Sequence, residues 1–418
     1  MFRIAERLGL GLMAMLIIGL AGCPQKPPPP IAPAPEPASP LALQVLAREN
    51  NQFASDLFHR LRRREGNLIF SPWALYHSLG LLWAGSAGAT RTDIARVLVY
   101  TLDPEVIPPA YTNLQALLSA APAAAASVSP DFKFLPALAL WSPRDFTIRT
   151  EFRERAMRYF RAEILDADFQ AAPQSRRQIN SWVEGKTEGK ITELIPEGML
   201  NPQTNLVLAG ALYFKGLWAA GFEKTQTDYA SFRVSEAAEV RVRMMRQEGT
   251  FAYAQAQDVQ VLTLPFQGSN LSMVLILPSA LDLARFEENL SAERLQTWFT
   301  QPAPRPVTLF LPCFRIASHF EMAPVLAEMG MGSAFRPGAD FSGISSAGRL
   351  FVSAAVHQAG LEVNEEGAAP PAKTSKKPDS SETPVVFRAD HPFLFVIREN
   401  TTGAIIYLGR LQHPRLEE

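Results

Sequence analysis

The run Val363-Asn-Glu-Glu-Gly-Ala-Ala-Pro-Pro-Ala-Lys-Thr-Ser-Lys-Lys-Pro-Asp-Ser-Ser-Glu-Thr-Pro384, continued by Asp390-His-Pro-Phe393, decides the reading of this chain. An apolar strand-like run ends at Val363 and two more follow Pro392. Between them stand Pro370, Pro371, Lys373, Lys376, Lys377 and Pro378, with no aromatic residue before Phe387. Such a segment cannot bury itself. A structureless stretch of this length inside a compact chain is uncommon and usually functional. Polar, proline-bearing loops are also preferred sites of proteolytic nicking. The segment reads as an exposed, cleavable loop, the shape of protease bait.

The body around that loop is globular. The chain has 418 residues, 47% hydrophobic and 19% charged, enough for one large domain or two ordinary ones. A formal charge of −1 provides no basic field, so nucleic acid is not an expected partner. The two cysteines, Cys23 and Cys313, are too few for a disulfide framework and sit in unrelated contexts. A monomer is expected.

Residues 1–22 read as a targeting segment. Arg3 and Arg7 precede an uncharged apolar stretch from Leu8 to Leu20, thirteen residues long, which is too short to span a bilayer comfortably. It ends in Leu20-Ala-Gly-Cys23, which resembles the lipobox of bacterial lipoproteins, where cleavage precedes a cysteine that receives a diacylglyceryl group. An ordinary signal peptide that contains a cysteine is the rival reading. The small residues before Cys23 and the tether behind it favour lipidation. Pro24 to Pro40 holds nine prolines and reads as a semi-rigid stalk, with a proline-rich recognition ligand as the alternative. Pro24, in place of an aspartate, leans toward the outer membrane or cell surface. Attachment is then by lipid alone, and 41–418 form the folded domain.

Within the body, Leu46, Phe53, Leu57 and Leu61 recur at helical spacing, broken once by Asn50. Ser71-Pro72 opens a second helix, hydroxyl at the cap and proline at the first helical position. Thr90 is read as the cap of a third helix and Ser175 as the start of another; Glu151 to Phe160 is an arginine-rich helix. Strands are predicted over 131–146, 206–214, 232–242, 259–265, 271–277, 307–316, 350–363 and 385–411, the last holding a hairpin at Asn400-Thr-Thr-Gly403. Ala120 to Ala126 reads as low complexity, a loop or a helix end. Helices first and strands later predict an α+β fold with antiparallel or mixed sheets.

Signatures of catalysis are missing. His59, His77, His319, His357, His391 and His413 never fall at metal-ligand spacing, and no phosphate loop, dinucleotide fingerprint or Gly-x-Ser-x-Gly elbow occurs. Cys313, between Pro312 and Phe314, reads as a small buried hydrophobe within a strand. Asp166 and Asp168 read as capping or solvated. No enzyme, metal or cofactor is expected.

Several blocks, in order, resemble one family. They are Asn67-Leu-Ile-Phe-Ser-Pro72, Asn180-Ser-Trp-Val183 with Thr187 and Lys190-Ile-Thr192, and Leu212-Tyr-Phe-Lys-Gly-Leu-Trp218. Met244-Met245, Leu264-Pro-Phe266, Ser272-Met273, Ala339-Asp-Phe-Ser-Gly-Ile344, Val363-Asn-Glu-Glu-Gly367 and Phe387-Arg-Ala-Asp-His-Pro-Phe-Leu-Phe395 continue the series. The chain resembles the serpins over about residues 43 to 414. The resemblance implies three β-sheets, eight or nine helices and an exposed reactive loop near 367–384. It also implies a suicide mechanism in which a serine protease attacks the loop. The loop then inserts as a central strand of the main sheet and releases stored strain.

Carried over by that resemblance, the attacked bond falls at Ser381–Glu382. Glu365, Glu366 and Gly367 fit the proximal hinge, followed by Ala368, Ala369, Pro370 and Pro371. The two alanines fit the family pattern. The prolines do not, because a central strand uses every N–H and proline has none. Inserted side chains alternate, so if Ala368 points inward, Ala372, Thr374 and Lys376 do too, and Lys376 would be buried unpaired. In the sheet-opening region, Ser71 is read as a cap. The family's Ser/Asn/His network falls on Ala74, Gly210 and His357, and its hinge-pairing lysine on Cys313, leaving Glu365 without that partner. Thr101 to Val128 has no Lys or Arg, so glycosaminoglycan activation is not expected. Two functions compete, an anchored serine-protease inhibitor and a non-inhibitory relative that is cut as a substrate or binds another partner. Cys23→Ser is expected to release the mature protein from membranes; fractionation with intact-mass analysis checks this, and an unmodified, soluble wild type would refute the anchor.

Overall fold

The structure, a computed structural model, describes residues 37–126, 132–256, 258–348, 350–365 and 383–414, the side chains of 121–126 excepted. Cys23, the stalk up to residue 36, the hinge residues Glu366, Gly367, Ala368, Ala369, Pro370 and Pro371, Lys373 and Lys376, and the Ser381–Glu382 bond lie outside the described residues. So do 1–22.

Helices α1 (Pro40–Leu61), α2 (Pro72–Gly85), α3 (Gly88–Val97) and α4 (Ile107–Ala126) come early, with the short strand β1 (Leu68–Phe70) after α1. Next are β2 (Lys133–Pro143), α5 (Thr150–Phe160), β3 (Glu163–Ala167), α6 (Ala172–Lys186) and β4 (Leu206–Lys215). Strands β5 (Asp228–Ser235), β6 (Ala238–Gln255), β7 (Val259–Pro265) and β8 (Leu271–Pro278) lead to α7 (Leu283–Glu288) and α8 (Ala292–Thr300). The chain closes with β9 (Ala303–Pro312), β10 (Phe314–Glu321), α9 (Met322–Leu326), β11 (Val352–Val363), β12 (Val385–Arg388), β13 (Phe393–Glu399) and β14 (Ile405–Leu411). That makes nine α-helices among the described residues, an α+β fold as expected. None is long and apolar enough to cross a membrane.

Hydrogen bonding joins the strands into two sheets. One has five strands in the order β10-β11-β4-β2-β3. The other has nine, β1-β14-β13-β8-β7-β6-β9-β12 with β5 against β6. The three-sheet expectation maps onto the five-stranded sheet and two parts of the larger one. The long β6 bridges those parts, pairing with β5 at one end and with β7 at the other.

Several elements differ from their sequence reading. The run 307–316 is two strands, because the chain turns at Pro312-Cys313 to leave one sheet for the other. Cys313 therefore lies at the break and not within a strand, its N–H donating to the Arg243 carbonyl at 2.9 Å. The run 232–242 is a hairpin turning between Ser235 and Ala238. Thr90 lies inside α3, where Ala87 is the cap, and its hydroxyl accepts the Asp340 N–H at 2.9 Å. Ser175 lies in α6 and donates to the Asp168 carbonyl at 2.6 Å. The alanine-rich patch is a helix end, one of the two readings offered for it: it closes α4, whose two early prolines are tolerated in a first turn. Helices α7 and α8 were hidden among strand-like runs, although Asp282 and Ser291 cap them at 3.1 and 3.2 Å.

Helix α2 is apolar on all sides and buried, the pattern of a helix running through a core. It underlies one face of the five-stranded sheet, and α6 covers part of the other. Asn50, the polar break in α1, is buried and donates to the Ile405 carbonyl at 3.0 Å, tying α1 to β14. Arg410 of β14 is buried with Glu287 of α7 at 2.9 Å and also donates to the carbonyls of Gly66 and Arg62 at 2.8 and 3.1 Å. Removing one partner of a buried ion pair costs about 3–5 kcal/mol, because the other charge stays buried. Arg410→Met should lose stability of that order in urea unfolding. Arg410→Met with Glu287→Leu should recover most of it.

Candidate functional site: the seam between two parallel strands

Strands β11 and β4 run parallel and pair directly from Val352↔Leu206 to Glu362↔Lys215. The chain leaves β11 at Val363. A segment folding back from there would run antiparallel to both strands, so it could complete both ladders if they parted. Along the seam, small residues stand opposite larger ones. Ala209, Gly210 and Ala211 on β4 face Val356, His357 and Gln358, and Ala354, Ala355, Ala359 and Gly360 on β11 face Val207, Leu208, Leu212 and Tyr213.

One face of the seam rests on α2. At its middle, His357 and Gly210 are register partners. The fully buried His357 accepts the Ser71 N–H at Nε2, 3.0 Å away, which leaves its proton on Nδ1. That Nδ1 makes no well-formed hydrogen bond among the described residues, its nearest acceptor being the Gly210 carbonyl. Burial holds the imidazole down at about 3, and the Gly210 carbonyl works against that shift. Ser71 does cap α2, its Oγ accepting from Ala74 N at 3.1 Å and donating to the Ile406 carbonyl at 2.7 Å. The sequence reading missed Ser78, which donates to the Ala74 carbonyl at 2.6 Å; its Oγ lies 3.0 Å from where a side chain on Gly210 would begin. The signal was its position one turn beyond Ala74 on the same helix face.

The opposite face is crossed by the segment after α6. Ile191, Leu194 and Ile195 pack with Val207, Ala209, Ala354 and Val356. Asn180 fixes this strap, accepting from Leu194 N and Ile195 N at 3.0 and 2.8 Å. Its far side is held by His319 of β10, whose Nε2 lies 2.8 Å from the Leu194 carbonyl.

At the loop end, the seam is latched. Trp218 donates from Nε1 to the Asn364 carbonyl at 3.0 Å, and its ring stacks on Phe266 at 4.8 Å. Glu365 is buried, its side chain 4% exposed, and ion-pairs with Arg243 of β6. In place of the lysine expected from the resemblance, Arg243 on the strand beside Cys313 supplies the cation. The legible signal was Arg243 in the alternating run before Met244-Met245. Burial pushes the Cys313 thiol up to about 12, helped by the Glu365 charge, so it is no nucleophile. The other end of the 366–382 segment is fixed by β12, paired parallel with β9.

The serpin family model, described as serine protease inhibitor, matches residues 48–414. The chain belongs to the serpin family. This serpin is 34% identical to leukocyte elastase inhibitor of Homo sapiens over 393 residues, covering 89% of this chain and all of that one. It is 33% identical to a serpin-like protein of Thermococcus kodakarensis, covering 87% and 85% of the two chains. Among solved structures, uncleaved ovalbumin matches with a TM-score of 0.81 at 30% identity, over 88% of this serpin and 100% of that chain. Maspin matches with 0.80 at 28% identity, over 89% and 100%.

The latch makes a direct prediction. Arg243→Ala strands a buried carboxylate, yet Arg243 is itself 42% exposed, so solvent screening reduces the effect to about 1–3 kcal/mol. Melting temperature should fall, and limited proteolysis beside Glu365 should speed up. Arg243→Met with Glu365→Leu should restore both.

Proposed function

We propose that this serpin is a lipid-anchored protein of the cell envelope or surface whose 367–384 loop engages a serine protease as bait. The observation that carries the reading is the directly paired β11–β4 seam, latched at the point where the loop begins. A closed parallel seam with a long segment leaving its end is the arrangement that insertion requires. The fully buried His357, whose Nδ1 makes no well-formed hydrogen bond among the described residues, is the weak point in the middle of the seam, which favours opening. The role is not catalytic: the protease supplies the nucleophile and the serpin supplies the strained loop.

Relatives named as leukocyte elastase inhibitors support a protease target with a small specificity pocket. Ser381 at the attacked position agrees, pointing to an elastase- or subtilisin-like enzyme. Lys373 and Lys376 invite trypsin-like cleavage elsewhere in the loop. The sequence Leu20-Ala-Gly-Cys23 and the proline stalk support the anchor, which would keep the bait close to the membrane.

A second reading rests on Pro370 and Pro371. They remove two donors from the strand that insertion would create, and Lys376 adds a buried charge. These costs slow insertion relative to deacylation, and a protease released before insertion finishes leaves only a nicked serpin. Incubation with elastase-, subtilisin- and trypsin-like proteases, followed by denaturing electrophoresis, separates the outcomes. Wild type is expected to give nicked product in excess over covalent complex, with a small rise in melting temperature after cleavage. Pro370→Ala with Pro371→Ala should shift the ratio toward complex. Abundant wild-type complex with a large rise in melting temperature would refute the second reading. Primary cleavage in the body with the loop intact would refute both.

A further inference from the structure

At the end of α2, away from the hinge, a cavity of about 380 Å³ is lined by Ser86, Arg91, Arg149, Glu151, Arg155 and Gly343, among others. Three guanidiniums and one carboxylate share this space. None of the three arginines is ion-paired with a carboxylate among the described residues. Two of them are held in place by other contacts. Arg91 lies over the Trp83 ring at 4.2 Å, and Arg155 donates from Nη1 to the Ala84 carbonyl at 3.1 Å. Arg149 is exposed and stands at the start of α5, which has no side-chain cap, so the positive end of that helix faces the same region. The wall at Gly343 is bare backbone: a side chain there would meet the Gly85 carbonyl at 2.9 Å.

We propose that this cavity binds a small, multiply charged oxyanion, a phosphate or sulfate group, free or as an ester. Guanidinium forks match the oxygen geometry of such groups, and charge-assisted bonds of this kind are the strong ones. The single carboxylate, Glu151, leaves a net positive lining. None of these residues belongs to the seam, the latch or the loop.

The location gives the site a consequence. Helix α5 lies in the connection from β2 to β3, on the β4 side of the seam. Gly343 lies in the segment that feeds β11, on the other side. The two already touch, with Arg149 N donating to the Ile344 carbonyl at 2.8 Å and Ile148 bridged to Ser345. A bound anion adds a charged tie across the seam and opposes its opening. This consequence rests on the insertion reading; the binding does not.

The test is isothermal titration of the full chain with inorganic phosphate, with a sulfated disaccharide and with phosphatidic acid vesicles, at matched ionic strength in chloride. Saturable binding of phosphate is expected, and the arm that binds tightest identifies the natural source. Arg149→Ser, which breaks no side-chain contact, should weaken binding about tenfold, and Arg149→Ser with Arg155→Ser further still. Bound anion should also slow formation of the nicked or covalent product. No saturable binding in any arm, or equal affinity in wild type and Arg149→Ser, overturns the site while leaving the bait reading intact. Normal binding without any effect on the protease reaction overturns only the tie across the seam.

Discussion

The parallel hydrogen-bond ladder between β11 and β4 is the constraint on which the rest of this structure depends. Parallel strands need long crossovers, and here the β4 and β11 ends of the pair are separated in sequence by most of the second sheet. Their faces are therefore covered by elements from distant parts of the chain: α2 beneath, and α6 with its following strap above. A ladder buried on both faces is stable, and in this one each alanine or glycine stands opposite a larger residue, so the pair is held by backbone bonds, by packing on both faces and by a few polar contacts.

Charge is placed sparingly around that ladder. Its centre holds one neutral histidine, kept uncharged by burial and oriented by the Ser71 N–H. Its loop end holds one buried carboxylate, Glu365, balanced by Arg243. A buried charge without a partner would be costly, and Arg243 on the neighbouring strand β6 supplies the balancing cation. Arginine suits this place because its long planar head reaches in while part of it stays in water. The Trp218 bond to Asn364 adds direction that an ion pair alone lacks.

The remote end of the seam is different in character. There the elements on its two sides meet through backbone contacts, and three arginines have no carboxylate partner among the described residues. An anion held there, as proposed, would oppose the opening of the sheet. Hinge and base would then be controlled by electrostatics of opposite origin, a pair made within the chain at one end and completed from outside at the other.

Much of the α+β architecture was legible because local rules suffice for it. Ser71-Pro72 announced α2, the Asn400–Gly403 turn announced the β13–β14 hairpin, and an unpackable stretch marked the loop. Order of motifs named the family. What sequence could not supply were facts that arise between strands far apart in the chain. The run 307–316 looked like one strand because periodicity cannot show a chain passing from one sheet to another at Pro312-Cys313. The pairing of Glu365 with Arg243 was not legible from position 313, the one position compared, because the partner comes from β6. Ser78 and the strap at Leu194 gained meaning only once α2 and α6 were laid on opposite faces of the seam. The sequence by itself determined the early helices, many of the strands and the unpackable loop, since those follow from spacing, capping and composition. Only the tertiary structure decided which charges meet and where the sheet can part, since both depend on register between strands that share no local sequence.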